Sequence, residues 1–169
     1  NPQPEDDMSI IEAEIEPHQR PLSIRVRLAG PRDIKELCSL LDDGESAREQ
    51  VLTWLETPGT TLLVAQSEVG VLAVAVLMTR LVPLEGMGAH KVIEVDNLVV
   101  RADQRGRRVG RRLLAAAVEW SRQRRAVQVE AVVGEGPAKR FYENFGFAVA
   151  DEGSGVSVAD VTAPPGVAT

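Results

Sequence analysis

At 169 residues the chain has the length of one domain, and with 44% hydrophobic but only 4% aromatic residues its core must be built from Val, Leu, Ile and Ala. The single cysteine, Cys38, excludes an internal disulfide framework, two histidines without ligand spacing argue against a metal, and no apolar run reaches the ~18 residues of a membrane span. The net charge of −6 is uneven: nine of the 25 acids lie in 1–19 and 151–169, which hold no Lys or Arg, so 20–150 sets sixteen acids against 19 bases and carries about +3.

Residues 1–20 are polar and punctuated by proline, and are expected to form a flexible acidic arm. Their charge is wrong for a signal peptide, Met8 is a candidate natural start, and a cytoplasmic location is the expectation. Alternation over 23–28 predicts a first strand. Gly30-Pro31-Arg32-Asp33 introduces a helix to about Leu41, with Cys38 on its apolar face as core filler. A second, shorter helix over 46–55 is stopped by Pro58-Gly59. The segments 61–66 and 71–79 flank a Ser-Glu-Val-Gly turn and predict a hairpin. The near-continuous apolarity of 71–78 suits a strand covered on both faces. A loop over 83–88, a strand over 91–100, a helix over 107–123, a strand over 127–133, a short helix over 137–144 opened by Pro137 and a closing strand over 147–150 complete the order β-α-α-β-β-β-α-β-α-β. This describes one mixed α/β domain over 21–150, with 151–169 as a C-terminal tail in which partial order is left open and no element is assigned.

Six arginines (101, 105, 107, 108, 111 and 112) crowd the start of the third predicted helix. A helix N-terminus carries roughly +0.5 of an elementary charge and repels cations. A turn that breaks this rule and also carries Gly106 and Gly110 reads as a cradle for a polyanion held by backbone N–H groups. It is neither a phosphate loop of the GxxxxGK[ST] type nor a GxGxxG dinucleotide fingerprint. Scarce aromatics and acidic ends count against a nucleic-acid ligand.

A second constellation, Ala138-Lys139-Arg140-Phe141-Tyr142-Glu143-Asn144-Phe145-Gly146-Phe147, holds the only tyrosine. The phenylalanines read as an aromatic lid on the core, whereas a tyrosine hydroxyl is able to give a proton to a leaving thiolate of pKa ~8.5. Glu94 and Asp96, two apart on one strand and so expected on one face, are candidates for a base acting on an amine; the alternative is that they pair with nearby arginines.

These two stretches, 95–114 and 138–147, together resemble the GCN5-related N-acetyltransferase (GNAT) family. The first resembles its acetyl-CoA motif, a Val-ended strand followed by Gln/Arg-x-x-Gly-x-Gly/Ala, and the second its FY…GF segment. The resemblance implies a single, mostly antiparallel mixed sheet flanked by helices, with acetyl-CoA as donor, no metal, and a small-molecule or peptide amine as acceptor. It implies that backbone groups of Leu98, Val99 and Val100 hold the pantetheine arm where strands splay. It implies that amides of Arg105, Gly106, Arg107, Arg108, Val109, Gly110 and Arg111 wrap the pyrophosphate, with Ala138 and Lys139 close by. Lys139 or Arg140, with the arginines, would meet the 3′-phosphate, and Tyr142 would protonate the CoA thiolate. Arg108 stands where the family has its first glycine; the expectation is that it is helical and needs no positive φ. Glu135 stands where an Asn is common. The expected activity is direct acetyl transfer by a monomer or homodimer that engages neither membrane nor nucleic acid; the alternative is a CoA-binding regulatory domain without turnover. The acceptor is expected to enter near Glu94 and Asp96, between the first two helices and the 83–90 loop.

Overall fold

Polar–apolar alternation gives β1 (Arg25–Leu28), and the apolar runs on either side of a Glu68-Val69 turn give β2 (Thr60–Ser67) and β3 (Gly70–Leu84). In a computed structural model of the protein, which describes residues 22–86, 88–106, 108–149 and 156–161, these join β4 (Gly88–Val100), β5 (Gln128–Val132), β6 (Ala148–Val149) and β7 (Val156–Asp160) in one sheet. The strand order is β1-β2-β3-β4-β5-β7-β6. Only β4 and β5 run parallel, and they are joined through a helix, as parallel neighbours must be. The expected acidic arm, 1–20, lies outside the described residues.

Helices α1 (Ile34–Leu40) and α2 (Glu45–Glu56) cover one face. Leu37, Cys38, Val51 and Trp54 pack there on Leu62, Val64, Val74 and Val76. Helix α3 (Val109–Gln123) covers the other face, with Leu113, Leu114 and Ala117 over Leu63, Ala75, Leu77 and Ile93. Apolar residues at helical spacing on α3 make this possible, and β3 is covered on both sides, as its sequence predicts. Helix α4 (Pro137–Phe145) ends at Gly146, whose φ of +124° only glycine adopts readily. That reversal turns Phe147 into the core, where it is 3% exposed.

One expectation is corrected, and one segment left open gains a strand. The 83–88 loop is instead the end of a long hairpin: β3 and β4 pair as far as Leu84 opposite Gly88. Strand β2 starts at Thr60, opposite Met78, so among the described residues the outer part of β3 pairs with β4 alone, and Pro83 costs no second ladder there. The region expected to be a loop for acceptor entry is therefore strand except at its tip. Strand β7 lies in the tail 151–169, where the sequence left partial order open and assigned no element. It lies antiparallel to both β5 and β6 and is followed by Val161, 4% exposed in the core.

Candidate active site

Strand β4 is a partner of two strands along only part of its length. Val92 to Val95 pair with Gln128 to Ala131 of β5, whereas Asn97 to Val100 pair, among the described residues, with β3 alone. Beyond Val95 the parallel neighbours part, and one backbone edge of β4 faces the gap, where an extended ligand can hydrogen-bond to it. An irregularity sits at the same point: Val95 opposes Leu77 while Asn97 opposes Val76, which leaves Asp96 as an extra residue in β4. Such a bulge re-aims side chains. The assumption that Glu94 and Asp96 share a face by simple alternation therefore fails across it.

The gap leads into the N-terminus of α3. A short 3-10 turn (Ala102–Gln104) follows β4; then come Gly106 at φ +78° and Arg108 at φ +63°. The expectation that Arg108 is helical is overturned: it is the left-handed N-cap residue, and its carbonyl accepts the hydrogen bond from Arg112 N–H at 3.0 Å. A non-glycine residue pays about 1–2 kcal/mol for this conformation. The first turn of α3 holds no acidic residue and receives no side-chain cap, so its leading N–H groups are available to a ligand. Arg101 is bound by Asp103 through two 2.7 Å hydrogen bonds. By contrast, Arg105, Arg108, Arg111 and Arg112 are exposed and form no ion pair among the described residues.

Leu98, Val99 and Val100 of β4, Arg105, Gly106 and Gly110 of the turn, and Ala138 and Tyr142 of α4 line one cavity of about 610 Å³. Arg108, Val109 and Arg111, with Gln104, Asn144 and Phe145, line a second of about 340 Å³. The two share Val100, Arg105, Gly106, Gly110 and Phe141 and so form one cleft of two lobes. Gly110 sits at the waist: a Cβ there would come within 3.2 Å of Val100 Cγ2 and 3.6 Å of Phe141 Cζ. Most of the expected cofactor residues are thus gathered around one space. Lys139 is not among its lining; its ammonium pairs with Glu135 at 3.0 Å, which raises its pKa above the usual lysine value. Arg107 lies outside the described residues.

Tyr142 is 6% exposed, with its ring edge-to-face against Phe141 and Phe147, each at 5.2 Å. Burial pushes its phenol up to about 12, because the charged form loses its hydration. Glu94 lines neither lobe. It lies at the mouth of the gap, one residue before β4 leaves β5, and its Oε2 is 3.7 Å from Arg80 Nε. Asp96 is exposed and also lines neither lobe. Glu130 of β5, absent from the sequence reading, pairs in register with Glu94 and hydrogen-bonds Arg80 Nη2. Its one readable signal was the polar alternation of Gln128 and Glu130 in an otherwise apolar strand. Cys38 is buried under α1 and α2, on the opposite face from α3. No cluster of metal-ligating side chains and no helix able to cross a membrane occurs among the described residues.

A protein-family model described as the acetyltransferase (GNAT) family matches residues 31–147. No curated protein sequence matches the chain. Among solved structures the chain is similar to the tetramutant of the BH1408 protein from Bacillus halodurans, with TM-score 0.67 and 20% identity over 76% of this chain and 96% of that one. It is similar to the aminoglycoside N-acetyltransferase AAC(6')-Iy in complex with CoA, with TM-score 0.64 and 15% identity over 78% and 92%. A transcriptional regulator from Bacillus halodurans C-125 gives TM-score 0.62 and 20% identity over 78% and 97%. At these identities the likeness is one of fold.

Proposed function

The chain belongs to the acetyltransferase (GNAT) family, and from that premise we propose that it transfers the acetyl group of acetyl-CoA to a primary amine by direct attack. The observation that carries the reading is the continuity of the cleft. A strand edge beside Leu98, Val99 and Val100 runs into a helix N-terminus where Arg105, Arg108 and Arg111 form no ion pair among the described residues, and Tyr142 lines the same lobe. These parts suit acetyl-CoA by size and chemistry. The strand edge offers amide partners to a pantetheine arm, the α3 amides with Gly106 meet a pyrophosphate, and Arg108 and Arg111 face the second lobe, where a 3′-phosphate would sit. Lys139 is engaged by Glu135 and is the weaker candidate for that phosphate.

When bound, acetyl-CoA supplies a thioester whose carbonyl carbon an amine can attack. Glu94 or Asp96 takes the ammonium proton of the acceptor, directly or through water, since an alkylamine of pKa about 10 is otherwise charged at neutral pH. The amine nitrogen then bonds to the carbonyl carbon, and as the C–S bond breaks it sheds its second N–H proton to water, which replaces the proton that Tyr142 gives up. Tyr142 holds its proton throughout the neutral range, donates a hydrogen bond to the sulfur as charge develops, and gives up the proton to the thiolate. The burial that weakens the phenol as an acid also raises the basicity of a thiolate released beside it. No side chain need carry the acetyl group: among the described residues Tyr142 is the only hydroxyl-bearing one lining the cleft, and Cys38 lies across the sheet.

The test is thiol release from acetyl-CoA with a panel of amines: spermidine, an aminoglycoside, a lysine peptide with a blocked N-terminus and a peptide with a free one. Release that requires one of these amines supports the transferase. Saturable acetyl-CoA binding without release from any of them would favour the regulatory-domain alternative.

A further inference from the structure

Three neighbouring strands place Arg80, Glu94 and Glu130 on the sheet face that also carries Val74 and Val76, beyond the area packed under α1 and α2. Arg80 lies two residues beyond Met78, which opposes Glu94; Glu94 in turn opposes Glu130 in the parallel ladder. Two carboxylates side by side on adjacent strands repel, and one guanidinium spans them. The spanning is unequal. Arg80 Nη2 hydrogen-bonds Glu130 Oε2, and Gln128 Nε2 donates to Glu130 Oε1 at 2.6 Å, so both oxygens of Glu130 are engaged. Glu94 is 3.7 Å from Arg80 Nε, beyond hydrogen-bond reach, and accepts no hydrogen bond from the described residues. One carboxylate anchors the guanidinium, and the other is aligned by its charge while its lone pairs stay open.

We infer that Arg80 and Glu130 are positioning residues for Glu94: Glu130 fixes the guanidinium, and the guanidinium orients the Glu94 carboxylate at the mouth of the β4–β5 gap for proton removal from the acceptor. The inference rests on the transferase reading. It singles out Glu94 over Asp96, which forms no ion pair among the described residues and lies on the bulge. An arginine suits the role because its extended guanidinium hydrogen-bonds Glu130 through Nη2 while Nε lies beside Glu94, whereas a lysine has one compact ammonium for both.

The experiment is a double-mutant cycle on the full chain, using whichever amine of the panel above is acetylated fastest. Arg80→Ala should lower kcat about tenfold with KM for acetyl-CoA within about twofold, and Arg80→Lys should restore only part of the loss. In a Glu94→Gln background, Arg80→Ala should have no further effect, because it acts through the missing carboxylate. An equal loss in both backgrounds, or an unchanged kcat in folded Arg80→Ala, would overturn the inference. Should Arg80→Ala not fold, Glu130→Gln keeps the side-chain volume and frees the guanidinium; its loss of kcat should likewise vanish with Glu94→Gln, and persistence of that loss overturns the inference. Full kcat in Glu94→Gln removes the base itself. Absence of turnover with every amine refutes the transferase reading beneath it.

Discussion

Burial between Phe141 and Phe147 pushes the Tyr142 phenol up to about 12, and because the chain has no other tyrosine, tyrosinate absorbance reports this group alone. The expected titration has one step near 12 instead of the ordinary 10, and a step at 10 would show the ring to be solvated. The folded pKa lies above the unfolded one, so the resulting stability is fully present below pH 10 and is lost as pH rises toward 12. The loss is on the order of 2–3 kcal/mol, seen as a fall in denaturant midpoint that Tyr142→Phe should lack. The same variant should lower kcat at least about tenfold while leaving acetyl-CoA affinity nearly unchanged; an unaltered kcat removes the acid role. Arg108 gives a second test. Glycine relieves the left-handed strain but frees the unfolded chain, so Arg108→Gly should be between neutral and about 1 kcal/mol more stable. A thermal melt showing clear destabilisation would mean that the side chain makes contacts the strain conceals. Single residues differed in how far the sequence revealed them. Tyr142 stood out by being unique and by its aromatic neighbours. The φ of Arg108 depends on how the turn meets the helix, which residue type alone argued against, and the ties of Glu130 to Arg80 span 50 positions and emerge only from strand register.

Among the elements, β4 and α3 make the cleft between them, and Gly110 sets their separation. Alanine there gains helix propensity of up to about 1 kcal/mol against modest crowding of Val100, so Gly110→Ala should be close to neutral in stability. Gly110→Leu should fill the waist of the cleft and weaken acetyl-CoA at least about tenfold, measured by equilibrium binding alongside a melt; unchanged affinity in Gly110→Leu would place the ligand elsewhere. The pattern of the chain revealed most of these elements, because unbroken apolar runs mark β2 and β3 and a 3.6-residue period marks α3. It missed what pattern does not encode. The bulge at Asp96 is invisible to alternation, Pro83 suggested a loop where a strand with one free side tolerates it, and the short Val156–Asp160 segment gains its place only from pairing with both β5 and β6.

At the scale of the molecule, the acidic overall charge conceals a divided one, with acid-only ends around a basic middle in which Arg105, Arg108, Arg111 and Arg112, without an ion pair among the described residues, gather at a single helix end. If those arginines and the α3 amides hold phosphates, acetyl-CoA affinity should fall steadily with added salt, whereas binding through the strand edge alone should be nearly salt-independent. The family and the two-sided sheet were legible from two motifs at the right spacing. The acceptor was not, because the surface around Glu94 is assembled from three strands and has no motif of its own. Calorimetric titration of the full chain with acetyl-CoA tests the central claim most directly. One saturable site with a dissociation constant below about 100 μM, in the usual range for enzyme substrates, is expected, weakened by Gly110→Leu and by salt. No binding at millimolar acetyl-CoA would contradict the account.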